Sequence, residues 1–186
     1  MEVYWGLFDG GFGSVVRIGL TLNEATPLLF CALGLILAFR CGVWNIGAEG
    51  QLYMGAVGAA LVGLFVTGIP KPLVLLLAVI ASFVFGAIWG AVPGILKVKY
   101  KTNEIITSLL MVFVAKHFIT YLVLWPLKPA IPGSLVTERI SATARLPIIL
   151  PETASHVGIL IALGLAVIVG FILQKSTFGY RIKAVG

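Results

Sequence analysis

Charge is scarce in this sequence, and acid is scarcer than base. Only 11% of the 186 residues are charged, with 7 acidic against 13 basic side chains. A soluble domain surface needs roughly 25–35% charged residues to stay dispersed, so a soluble domain is excluded. Cysteine is also sparse: Cys31 and Cys41 have neither CxxC nor zinc-finger spacing and read as ordinary thiols. The acids are scattered singly, so there is no paired-carboxylate site, and no His, Cys and acid cluster has metal-ligand spacing. HExxH and GxSxG are missing, so nothing in the sequence nominates the nucleophile or metal of an intramembrane enzyme. GxxxxGK[ST] is missing as well, so any ATP hydrolysis belongs to another chain. The first residues, MEVYWGLFDGG, lack the basic n-region of a cleavable signal peptide.

What the chain does have is apolar sequence: 60% hydrophobic residues and a mean hydropathy of +1.09. Several runs approach the roughly 20 residues that cross a bilayer's hydrocarbon as a helix. The expected fold is all-α, a polytopic transmembrane helical bundle with about five spans in one domain over residues 1–186. The spans are expected at about 18–39, 46–66, 73–96, 105–125 and 157–173. The net charge of +6 is read as loop charge beside these spans rather than as a nucleic-acid surface, and the partner it implies is the lipid bilayer. Before the first span, Trp5, Phe8 and Phe12 suit a segment at headgroup level.

Polar residues within the spans are few. Asn23, Glu24, Thr26 and Pro27 fall in the first half of span one. Glu24 reads either as a functional carboxylate or as a residue near the interface, and Pro27 predicts a bend. Small residues repeat at four-residue spacing at Gly55, Ala59 and Gly63, at Gly86, Gly90 and Gly94, and at Ala162, Ala166 and Gly170, as close helix packing requires. Lys116 and His117 lie near the middle of span four. A central lysine costs roughly 2.5–3.5 kcal/mol on insertion scales, so it should meet protein, water or a carboxylate, or else snorkel.

The stretch that organises the chain is Arg40–Gly58, RCGVWNIGAEGQLYMGAVG. It is a glycine-rich junction carrying Asn45, Glu49 and Gln51 against apolar sequence, where each polar group needs a partner. It reads in two ways. Glu49 and Asn45 cap a helix at the membrane surface, or the chain breaks within the membrane and lines a route. The connector KVKYKTNE, Lys97–Glu104, has the same ambiguity, because Asn103 and Glu104 suit either a cap or the route.

Five alternating spans put Arg40, Lys97, Lys99, Lys101, Lys175, Arg181 and Lys183 on one side of the membrane. Arg17, Lys71, Lys128, Arg139 and Arg145 fall on the other. The basic excess in short segments marks the first side as cytoplasmic. The start of the chain and the proline-rich loop 126–156 are then outside, and the tail 174–186 inside.

GVWNIGAEGQLYMGA (Gly42–Ala56) resembles the signature of the inner-membrane permeases of ABC importers for nucleosides and simple sugars, whose relatives import branched-chain amino acids. ATPL (Ala25–Leu28), AFRCG (Ala38–Gly42), KTNEIITSLL (Lys101–Leu110), PLKP (Pro126–Pro129), ARLP (Ala144–Pro147) and TFGYRIKAVG (Thr177–Gly186) agree in order and spacing. The chain departs from the family at Val112, where asparagine is common.

The resemblance implies a multi-pass permease subunit in a prokaryotic inner membrane, working with a cytoplasmic ABC ATPase, a second permease and an extracytoplasmic substrate-binding protein. ATP would act on the partner ATPase, leaving this chain without a cofactor. The tail, with Lys175, Phe178, Gly179, Tyr180, Arg181 and Lys183, would begin the segment that couples to the ATPase. Asn45, Glu49, Gln51, Asn103 and Glu104 are the candidates for the substrate route. Family members carry a further span before the equivalent of Trp5 and more spans after Gly186, so the resemblance implies a partial permease, its first-half core. The alternatives are a permease for another small polar solute, and a passive channel or secondary transporter.

Overall fold

A computed structural model describes residues 1–127 and 136–186. Lys128, Pro129 and Pro132 of the expected outer loop, and with them the second half of PLKP, lie outside the described residues. The described chain is helical, with helices α1 (Glu2–Phe12), α2 (Val15–Arg40), α3 (Ala48–Phe65), α4 (Lys71–Tyr100), α5 (Glu104–Leu124), α6 (Gly158–Lys175) and α7 (Thr177–Val185). A short 3-10 turn covers Ala142–Ala144. Five of the helices, α2 to α6, are long and apolar enough to cross a membrane. The chain is therefore an all-α polytopic bundle, and no strand occurs among the described residues.

The helices fall into two compact units, Met1–Gly42 with Leu146–Gly186, and Val43–Arg145. In the first, α1 folds back on α2, where Thr21 Oγ1 donates to the Gly11 carbonyl at 2.9 Å and the Arg17 guanidinium pairs with Asp9. Ser14 begins α2 by accepting a bond from the Arg17 amide at 3.2 Å, as an N-cap serine does. Helix α2 runs through Pro27 and ends at Arg40, with Gly42 just beyond it at a φ of +69° that suits glycine. The segment before α6 packs on α2: a Cβ at Gly19 would lie 2.5 Å from Thr153 Cβ. Of the expected α6 stripe, Ala162 is buried, while a Cβ at Gly170 would meet nothing within 4 Å.

In the second unit α3 lies between α4 and α5, and its small residues explain the fit. Gly55 and Gly58 press on Ser82 and Ala81 of α4, while Gly50 presses on the backbone of Met111 and Val112 in α5. Gly63 faces Ile140 and Ala144 instead, so the expected stripe is shared between two neighbours. On α4, Gly86 and Gly90 receive Gln51 of α3, whereas Gly94 has open space beside it. Helix α4 starts at Lys71, with Pro70 as its N-cap, and ends at Lys101 in the left-handed region, φ 55°. Three residues later α5 begins.

Candidate functional site

The organising stretch resolves into a non-helical segment followed by the first turn of α3. Asn45 Oδ1 accepts the Gly47 amide at 2.9 Å, a local turn that holds the chain out of helix until Ala48. The Ile46 amide donates to Ser108 Oγ at 3.1 Å, and a Cβ at Gly47 would lie 2.7 Å from the Ser108 carbonyl oxygen. These contacts fix where α3 starts. Ser108 is four residues into α5, or about 6 Å along its axis at 1.5 Å per residue. Gln51 faces Gly90, which is ten residues, or about 15 Å, from the end of α4. The start of α3 is therefore set inward from the α4–α5 corner. Within this unit, the irregular backbone lies beside Ser108, one turn inside a candidate membrane span.

Glu49 lies in the acid-favouring first turn of α3 but makes no side-chain cap bond among the described residues. Its Oε1 accepts from Tyr53 Oη at 2.7 Å and forms an ion pair with Lys116 Nζ at 2.9 Å. The Lys116 ammonium also lies 5.8 Å from the centre of the Tyr53 ring, within cation–π range. A side chain on a helix leans toward the N-terminus, which lets Lys116 reach back along α5 to the level of Glu49. Behind the group, Trp89 Nε1 donates to the Met111 carbonyl at 3.2 Å, and its ring stacks on Phe118 at 6.4 Å.

The remaining expected residues are engaged elsewhere. Gln51 fills the notch at Gly86 and Gly90. Asn103 is a cap, its Oδ1 accepting the amides of Ile105 at 2.9 Å and Ile106 at 3.3 Å. Glu104 pairs with Lys97 across the α4–α5 corner. Val112 is buried against Gly50, and His117 is exposed. The expected second group, Asn103 and Glu104, thus has different partners from Glu49. Sequence reasoning missed Tyr53 and Ser108, and it left Lys116 without a named partner. The four-residue spacing of Glu49 and Tyr53 was a usable signal, but nothing local links Glu49 to Lys116.

In the tail, Lys175 ends α6. Ser176 then turns the chain, its hydroxyl donating to the Ile172 carbonyl at 2.6 Å and accepting the Gly179 amide at 3.1 Å. Gly179 and Ile182 are buried, while Phe178, Tyr180, Arg181 and Lys183 are exposed. Gly179 has to be small, because a Cβ there would lie 2.5 Å from the carbonyl oxygens of Ile172 and Leu173. No group of three or more His, Cys, Asp or Glu able to hold a metal occurs among the described residues.

Residues 17–186 match the family described as the branched-chain amino acid transport system permease component. The chain belongs to this family. Among its relatives, the guanosine ABC transporter permease protein NupP of Bacillus subtilis is 37% identical over 194 residues, covering 98% of this chain and 53% of that protein. The nucleoside ABC transporter permease protein NupB of Lactococcus lactis is 33% identical, with coverage of 98% and 53%. The glucose ABC transporter permease protein TsgB13 of Haloferax volcanii is 35% identical, with coverage of 91% and 48%. This permease chain spans about half the length of the curated relatives it matches. No solved structure matches it. Family and helices together make it a multi-pass membrane protein.

Proposed function

We propose that the chain is a partial transmembrane permease domain that forms part of the route of an ATP-driven importer for a nucleoside or simple sugar. The observation that carries this reading is the inset start of α3. Non-helical backbone at membrane depth is tolerated where it is enclosed by protein or lines a water-filled cavity. Here it carries Asn45 and leads into the first turn of α3, where Glu49 meets Lys116 of α5. Uncharged solutes rich in hydroxyls suit such a lining, and the names of the nucleoside and glucose permease relatives support that solute class.

In this reading the partners are a cytoplasmic ABC ATPase, which binds the ATP, a second permease subunit and an extracytoplasmic substrate-binding protein. The chain sits in a prokaryotic cell membrane with its start outside and its tail in the cytoplasm, on the charge distribution given above. Helix α7 couples to the ATPase through its exposed Phe178, Tyr180, Arg181 and Lys183. Asn45 and Glu49 line the route, whereas Gln51, Asn103 and Glu104 support the helices that frame it.

The test is uptake of labelled guanosine and glucose into vesicles holding the transporter that carries this chain, with and without ATP. ATP-dependent accumulation of either solute is expected. Equal equilibration without ATP would point to a channel instead. Crosslinking from Tyr180→Cys to the co-expressed ATPase is expected to give one defined adduct, and no adduct in an active transporter would remove α7 from the coupling role.

A further inference from the structure

Glu49, Tyr53 and Lys116 bring three different chemistries to one place: a carboxylate, an aromatic ring and an ammonium. Both bonds to the carboxylate fall on Oε1, and among the described residues Oε2 has no hydrogen-bond partner. The pair stands open, with the Lys116 and Glu49 side chains 47% and 49% exposed. An ion pair on spanning helices is expensive to leave against lipid and belongs beside water or protein. Ionisable groups at such depth mark solute pathways.

We propose that Tyr53 and Lys116 join Glu49 in a contact site for a neutral, polyhydroxylated ring solute. This inference rests on the importer reading above and names the residues that would discriminate its solute. Glu49 Oε2 accepts solute hydroxyls, as a carboxylate with a free oxygen can accept more than one. The Tyr53 ring supplies a flat apolar face for a sugar or base. Lys116 balances the carboxylate, so the site as a whole carries no net charge. A lone lysine would favour phosphorylated solutes and a lone glutamate cationic ones; the pair favours neither. The hydroxyl chemistry is common to free sugars and nucleosides, and the experiment separates the two.

The transporter that carries this chain is prepared with Cys31→Ser and Cys41→Ser, and then with Lys116→Cys or Tyr53→Cys. A charged, membrane-impermeant thiosulfonate is expected to modify both positions. Modification is expected to slow several-fold with saturating guanosine if the solute is a nucleoside, or with saturating glucose if it is a sugar. Labelling by lipid-soluble maleimide alone, or rates unaffected by a solute the transporter takes up, would overturn the site. If Lys116→Cys does not accumulate, Tyr53→Cys carries the same test with the ion pair intact.

Uptake by the parent with Cys31→Ser and Cys41→Ser is measured in the same vesicles. Uptake without protection overturns this site alone, while absence of any nucleoside or sugar uptake overturns the importer reading and the site with it. Glu49→Gln provides a second readout. It leaves Lys116 uncompensated, so a nucleoside monophosphate is expected to become an inhibitor of uptake. Unchanged selectivity against the monophosphate would overturn the charge balance.

Discussion

Gly47 and Ser108 hold the start of α3 against α5 from two directions. The backbone at Gly47 leaves no room for a Cβ beside the Ser108 carbonyl, and the neighbouring Ile46 amide donates to the Ser108 hydroxyl at 3.1 Å. Ser108 itself is 1% exposed. Replacing it with alanine strands the Ile46 donor, which costs about 1–3 kcal/mol when the group is shielded from water. Ser108→Ala is expected to lower the thermal midpoint of the detergent-solubilised protein. Gly47→Ala is expected to lower it further, because the clash is with backbone. A midpoint for Ser108→Ala equal to that of the parent would mean that the bond does not position α3.

The glycines of α4 make a graded series. A Cβ at Gly86 would lie 3.2 Å from the Gln51 carbonyl oxygen, and one at Gly90 would lie 3.0 Å from the movable end of the Gln51 side chain. One at Gly94 would meet nothing within 4 Å. Gly86→Ala is therefore expected to destabilise most and Gly90→Ala less. Gly94→Ala is expected to gain up to about 1 kcal/mol from helix propensity. Thermal unfolding of the three variants in one detergent gives the order directly.

Asn103 and Glu104 adjoin in sequence but separate in energetics. Asn103 satisfies two orphan amides of α5, and Asn103→Ala is expected to cost about 1 kcal/mol, as loss of a side-chain cap does. Glu104 forms an ion pair with Lys97, a type of contact that salt screens. Glu104→Gln is expected to shift the midpoint much less than Asn103→Ala, by an amount that shrinks with added salt.

At the α6–α7 corner, Gly179→Ala would place a methyl group against the carbonyls of Ile172 and Leu173. It is expected to displace α7 and reduce ATP-driven uptake several-fold while the protein still reaches the membrane. Ser176→Ala removes the cap, worth about 1 kcal/mol, and the hydroxyl's bond to Ile172, but it adds no atom at the corner and is expected to retain most uptake. Equal uptake in the two variants would separate the corner's geometry from transport.

The helical class was legible because apolar runs of spanning length have few alternatives. The level of α3 against α5 was not. Its level is set by Ile46 meeting Ser108 and by Glu49 meeting Lys116, contacts across more than sixty residues that no local pattern encodes. Asn103 shows the opposite case, since its capping role follows from the residues beside it. Gln51 was a pathway candidate because it is polar in apolar sequence; its backbone carbonyl lies against Gly86 and its side chain against Gly90. Lys116 was visible as an anomaly, and only the fold supplied its carboxylate.

The seam on either side of α3 brings backbone close to backbone at Gly50, Gly55 and Gly58 on one helix and at Gly86 on another. Long side chains in a helix interface can change rotamer and absorb a shift, but backbone held against backbone cannot. Interiors packed this tightly have two ways to respond to a push: they separate or they travel together. Any force applied to α4 or α5 is thus passed to α3 with little slack, and Glu49 moves with the helix that carries it.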